Sequence, residues 1–307
     1  MTAGKHWQEL DGLRGVLALG VVLLHFGVNN LAAQIGWRGL TFNLAVDVFF
    51  LLSGYVLTHS ARNAFDPRRF VVRRFMRLAP VYFVTTLIAI LATAHFEPLE
   101  LVAGVPFAGR DPINSPSWSA TWEFYLPVLA VLLRVRIPER IVTPALMLCL
   151  CLLGVADVGF AMGGHYYFAR ALLGLSAGHL LYRSRLDSNL PMYALVAALA
   201  AIMAAARYVP VIAMILPMVA SATILAGRRS QTVLSSSPIQ FLGMISYTLY
   251  MVHVPLLLAT DRLADTGGNI LAKLLVIGGA ILLAWLLTVW VERPCMVGPK
   301  PAAQTAP

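Results

Sequence analysis

Arg14 and His25 are the residues from which a reaction can be built. They stand eleven residues apart in an otherwise apolar stretch. On a helix that spacing is about 16 Å along the axis, and eleven steps of about 100° return to within about 20° of the starting direction. One face would then carry a fixed cation and, further along, an imidazole that titrates near neutral pH. An imidazole can take a proton from a hydroxyl or carry an acyl group itself. A guanidinium can hold an anionic substrate or stabilise developing negative charge. The bland alternative is an arginine reaching the headgroups of one membrane leaflet and a histidine at the opposite interface.

Further ionisable residues stand where lipid-facing sequence should have none. Glu123 closes the run Trp118-Ser119-Ala120-Thr121-Trp122-Glu123. Ser119 or Thr121 would cap a helix there, and an acid in the first turns suits the helix dipole. Read as lying at the depth of His25, Glu123 would also fix the imidazole tautomer and raise its basicity. Asp47 precedes Val48-Phe49-Phe50-Leu51-Leu52-Ser53-Gly54 and is expected to pair with an arginine of the bundle, Arg170 for example. His253 lies mid-segment, either as a hydrogen-bonded packing residue or as part of a site. Pro255, two residues on, frees a backbone carbonyl for polar partners. Arg73 and Arg77 share a helical face with Arg74 beside them. Such a cluster serves topology and headgroup contact or receives phosphate oxygens on its guanidinium forks.

The elements that must position these side chains follow from composition. Of 307 residues, 59% are hydrophobic and 12% charged, about half the charge of an ordinary soluble domain. That excludes a disordered chain, a basic soluble nucleic-acid-binding module and a small disulfide scaffold, so no nucleic-acid partner is expected. The net charge of +9 reads instead as basic cytoplasmic loops. Three cysteines, Cys149, Cys151 and Cys295, show neither disulfide nor metal spacing. Ten segments are long and apolar enough to span a bilayer: 10–28, 40–60, 78–96, 119–135, 141–160, 166–182, 190–207, 209–227, 241–260 and 270–291. In strict alternation the terminal and even-numbered loops hold 16 Arg and Lys and the opposite loops 4, which places both termini in the cytoplasm. The expectation is an all-α polytopic bundle of about ten helices. A single membrane domain over 1–300 and a short tail over 301–307 are expected, with no fused soluble domain. The first span reads as an uncleaved helix.

Two functions use such a line of groups. One is group transfer from a phosphorylated cytosolic donor to an acceptor at the far face. The other is proton-coupled transport with Asp47, Glu123 and the histidines as a relay. No paired repeats with broken helices are evident, which favours the enzyme.

Six segments in order resemble the bacterial acyltransferase-3 family of integral membrane O-acyltransferases. They are Glu9-Leu10-Asp11-Gly12-Leu13-Arg14-Gly15 with the later His25, the Asp47–Gly54 segment, and Arg73-Arg74-Phe75-Met76-Arg77-Leu78-Ala79-Pro80. Trp118-Ser119 with Glu123, the Gly243–Pro255 segment and Glu292-Arg293-Pro294 complete the set. The resemblance implies ten core helices with cytoplasmic termini in the bacterial inner membrane. It implies an acyl-CoA donor, most often acetyl-CoA, and no permanently bound cofactor or metal. A glycan or lipid-linked sugar acceptor and surrounding membrane lipids are the implied partners, with the oligomeric state open. Arg14 and His25 carry over as the central pair, and Arg73, Arg74 and Arg77 as the site for the coenzyme phosphates. In this reading His25 is general base or acyl carrier, oriented by Glu123. Arg14 holds the donor or stabilises charge, Ser119 or Trp118 donates to an oxyanion, and Asp47 and His253 support the site.

Overall fold

The computed structural model describes residues 5–27, 41–60, 66–93, 113–133, 167–184, 186–227, 232–264 and 270–296. Among these residues all regular structure is helical. The main helices are α1 (Lys5–His25), α2 (Ala45–Ser60), α3 (Pro67–Thr93), α4 (Ser117–Leu132) and α5 (Tyr167–Arg183). They continue with α6 (Met192–Ala205), α7 (Leu216–Ala226), α8 (Ser237–Ala264) and α9 (Ile270–Leu287). Nine of the ten expected spans fall on these helices; the segment 141–160 lies outside the described residues, as do Cys149 and Cys151.

Four helical stretches are long and apolar enough to cross a membrane: Phe42–Ser60, Pro67–Thr93, Ser237–Thr260 and Leu271–Cys295. Helices α6 and α7 are shorter than the spans expected over 190–207 and 209–227, at 14 and 11 residues. Pro210 ends the continuous helix and a 3₁₀ turn, Pro210–Ile215, joins the two. α3 begins eleven residues before its expected span, so the basic run 68–77 is helix and not loop. The start is encoded locally. Pro67 is preorganised for a first helical position, and the Asp66 carboxylate accepts from the Arg68 and Arg69 amides at 3.0 and 3.3 Å.

Two parallel helix pairs make the frame. α1 lies along α8 with Gly15 and Gly243 facing each other, where a Cβ on either would overlap the opposite backbone. That close approach fixes the register, and the same offset of 228 residues brings His25 to His253. α2 lies along α5 in a second parallel register, from Asp47–Arg170 at one end to His59–Tyr182 at the other. α3 runs antiparallel to α4, with Phe75 against Phe124 and Thr85 bonded to Asn114. The largest apolar cluster joins α1, α2, α5, α6 and α7 through residues such as Leu13, Leu17, Leu51 and Leu216. A second joins α1, α8 and α9 through Val22, Ile245, Leu249 and Ala280. Large apolar side chains stay exposed on α3, on α9 and on the turn after it, among them Leu91, Leu274, Leu275 and Trp290. Apolar exposure of that kind suits lipid and not water.

Candidate active site

His25 is the last residue of α1, and its side chain is exposed at that helix end. His253 is fully buried in α8. Their rings sit 4.9 Å apart between centroids, and His253 Nε2 lies 3.0 Å from His25 Nδ1. His253 Nδ1 lies 2.6 Å from the Tyr250 carbonyl. A carbonyl only accepts, so His253 Nδ1 carries the proton and, in the neutral ring, Nε2 carries the lone pair. His25 Nδ1 then donates to that lone pair, which leaves the lone pair of the neutral His25 ring on Nε2. A ring-to-ring contact of this kind is how a histidine is oriented for proton transfer.

Glu123 does not lie beside His25, contrary to the expectation. Its carboxylate accepts from Ser53 Oγ at 2.9 Å and faces Arg74 Nη2 at 3.4 Å. The cause is the depth at which α4 starts. Asn114, Ser117 and Ser119 are buried. Asn114 Nδ2 donates to the Met251 carbonyl at 3.1 Å, and Ser119 meets Tyr250, so the first turn of α4 is already sunk to the level just short of His253. Glu123 lies further still from the histidines, level with the first turns of α3. Neither Ser119 nor Thr121 caps the helix. Pro116 occupies the cap position without a side-chain bond, and Thr121 Oγ1 donates back to the Ser117 carbonyl at 2.9 Å.

Arg74 also departs from expectation. Arg73 and Arg77 are exposed, but Arg74 is turned into the bundle and 7% exposed. Its Nε and Nη2 both donate to the Glu123 carbonyl, the former at 2.8 Å. That carbonyl is available because Pro127, four residues on inside α4, has no N–H to bond it. Pro255 acts the same way in α8: it frees the Met251 carbonyl that Asn114 takes. Two prolines thus create two acceptors, and each is filled from another segment. The three arginines therefore do not form one surface. Arg73 and Arg77 remain at the edge, and Arg74 is a strut.

Arg14 lines a chamber of about 40 Å³ together with Ser53, Ser119, Glu123, Tyr247 and Tyr250. That volume holds roughly three waters. The nearest acid to Arg14 is Asp11 at 3.7 Å, and the charges of Glu123, Glu292 and Arg77 lie within its reach. Glu292 belongs to the Glu292-Arg293-Pro294 segment. It ends a π-helical turn, Thr288–Glu292, that follows α9. It is buried and accepts from Thr248 Oγ1 at 2.8 Å, while Thr288 Oγ1 donates to Thr248 Oγ1 at 2.9 Å. An irregular turn that aims a buried carboxylate inward is a frequent mark of a working site. Asp47 pairs with Arg170 through two bonds of 2.9 Å, and Arg170 also donates to the Asn43 carbonyl. Trp118 stacks on Tyr167 at 4.0 Å with the Arg170 guanidinium 5.8 Å from its ring, so Trp118 and Asp47 belong to one packed cluster of α2, α4 and α5.

A family model described as an acyltransferase domain matches residues 7–289. The chain belongs to the acyltransferase-3 family. Among curated acyltransferases it is 34% identical over 139 residues to the acyltransferase MdmB of Streptomyces mycarofaciens, covering 38% of this chain and 36% of that protein. It is 29% identical over 126 residues to the peptidoglycan O-acetyltransferase OatA of Listeria monocytogenes, and 31% over 128 residues to the putative peptidoglycan O-acetyltransferase YrhL of Bacillus subtilis. Those two matches cover 39% of this chain and 18% of each relative. The chain thus aligns with well under half of the length of these relatives. No solved structure matches it. Membership of this family fits the four membrane-length helices above.

Proposed function

We propose that the protein is a multi-pass O-acyltransferase of the bacterial cytoplasmic membrane. It takes an acyl group, acetyl foremost, from cytosolic acyl-CoA and places it on a hydroxyl of a glycan or lipid-linked sugar at the other face. The observation that carries this reading is the His25–His253 pair, held by the Tyr250 carbonyl so that His25 Nε2 presents a lone pair at the end of α1. A buried histidine behind an exposed one is arranged for taking a proton from a bound hydroxyl.

In the proposed step the acceptor O–H gives its proton to His25 Nε2 while its oxygen bonds to the thioester carbonyl carbon. The carbon–sulfur bond then breaks, and the departing thiolate takes the proton from His25. His253 shares the transient positive charge through the Nδ1 proton of His25. Arg14, about 16 Å back along α1, holds the donor from the opposite side. Exposed Arg73 and Arg77 receive the coenzyme phosphates, with Arg74 engaged elsewhere. The glycan acceptor is favoured by the likeness to the two peptidoglycan O-acetyltransferases. The ten-span arrangement is supported by helix direction: α1 with α8 and α2 with α5 run parallel, and α3 with α4 antiparallel, as strict alternation requires.

Acetyl-CoA binding to the purified protein in detergent, and thioester turnover with a peptidoglycan-derived oligosaccharide, test the reading. The expectation is saturable binding weakened at least tenfold in Arg73→Ala and turnover lost in His25→Ala. A folded sample that neither binds acetyl-CoA nor turns it over overturns the reading and leads to proton-flux assays in liposomes.

A further inference from the structure

Tyr250 stands where the chamber meets the histidine pair. Its carbonyl holds His253 at 2.6 Å, and its phenol oxygen is on the chamber wall, 3.1 Å from Ser119 Oγ. Its ring packs edge-on against Phe49 with centroids 6.1 Å apart and lies 5.8 Å from the His253 ring. Within the chamber lining, it is Tyr250 whose ring also approaches His253.

The hydroxyl has a proton to give. Ser119 Oγ lies 3.0 Å from the Pro116 carbonyl as well as 3.1 Å from the phenol oxygen. A serine hydroxyl has one proton, so two states exist. With that proton on the Pro116 carbonyl, the phenol donates to Ser119. With it on the phenol oxygen, the phenol proton is released toward the chamber. The Pro116 carbonyl tolerates the exchange because it also accepts from the Ser119 amide at 3.3 Å. A rotation of two O–H bonds, without movement of any heavy atom, thus turns Tyr250 into a donor whose own oxygen is supported by Ser119. Chained hydrogen bonds of this type strengthen one another. The two donors expected from sequence are placed less well. Ser119 lies behind the phenol, and Trp118 is stacked on Tyr167.

We propose that the Tyr250 hydroxyl donates to the carbonyl oxygen of the transferred acyl group and stabilises the oxyanion formed when the acceptor oxygen attacks. Tyr250 is then a further catalytic residue, an inference that rests on the acyl-transfer reading above. The hydrogen bond exists while the carbonyl oxygen is charged and weakens as the thiolate leaves, so it acts on the transition state and not on donor binding.

Steady-state transfer from acetyl-CoA by the wild type, Tyr250→Phe and Ser119→Ala tests it. Loss of one oxyanion donor lowers turnover by roughly 10²–10³-fold. Tyr250→Phe, which retains ring packing and the carbonyl on His253, is expected to lose kcat by about that factor with the acetyl-CoA KM within twofold. Ser119→Ala is expected to lose kcat by about tenfold. If Tyr250→Phe does not fold, fluorinated tyrosines at position 250 take its place, and kcat is expected to change with phenol acidity. Wild-type kcat in folded Tyr250→Phe, or a kcat flat across the fluorinated series, overturns the proposal. A wild type without turnover fails the acyl-transfer reading itself, which is a separate outcome because the Tyr250 effect is read as a ratio to wild type.

Discussion

Arg74 takes the place of an amide that α4 lacks. Pro127 leaves the Glu123 carbonyl without its helical partner, and the Arg74 guanidinium bonds that carbonyl while facing the carboxylate of the same residue at 3.4 Å. One arginine of the basic run is thereby withdrawn from the surface and ties α3 to α4.

Removing Arg74 should therefore cost stability where removing its neighbour does not. Arg74→Ala leaves the Glu123 carbonyl without a donor and its carboxylate with Ser53 Oγ alone, a loss of about 2 kcal/mol. Arg73→Ala, at an exposed position, should fall within about 0.5 kcal/mol of wild type while weakening donor binding. Thermal denaturation in detergent distinguishes them, and equal melting temperatures would contradict the strut.

The α1–α8 seam makes a second prediction. A side chain at Gly15 or Gly243 meets opposing backbone, whereas one at Gly278 meets nothing within 4 Å. Gly15→Ala should lower the melting temperature and activity together because the seam also sets the histidine register. Gly278→Ala should be neutral or raise stability by up to about 1 kcal/mol, since glycine is a poor helix former. A harmless Gly15→Ala would disprove the close contact.

The Asp47–Arg170 pair is expected to act as a unit. Breaking either partner alone should cost about 3–5 kcal/mol, while replacing both by apolar residues should cost less than either single change. A double-mutant cycle on thermal stability measures the coupling. Additive losses would show that the two charges have other partners.

His253 makes the fourth prediction. As the residue behind the base, it should affect turnover and leave donor affinity alone. His253→Ala is expected to lower kcat by about 10²-fold with acetyl-CoA binding unchanged, read from rates and equilibrium binding in parallel. Equal loss of binding would place His253 in the donor site instead.

Much of this was legible in the sequence because membrane helices are constrained so strongly. Apolar length located nine of the described helices, and Arg14 and His25 stood out as costly residues in lipid. Asp47 with Arg170 and the carbonyl freed by Pro255 followed from the cost of leaving polar groups unpaired. Depth was not legible. A span expected to start at the surface starts inside the bundle at α4, because Asn114 is held by Thr85 of α3 and Met251 of α8, 29 and 137 residues away in sequence. Glu123 was misplaced for that reason. Pro127 carried the signal for Arg74: a proline four residues after a polar residue announces a free carbonyl. The His25–His253 pair needed the parallel register, which two glycines on different helices determine only together.

The most direct test of the central claim is transfer of a radiolabelled acetyl group from acetyl-CoA to a peptidoglycan-derived oligosaccharide by protein in liposomes. Wild type is compared with His25→Ala, alongside acetyl-CoA binding to both. His25→Ala is expected to bind acetyl-CoA as wild type does and to transfer at least about 10²-fold more slowly. Transfer by His25→Ala at the wild-type rate would contradict it.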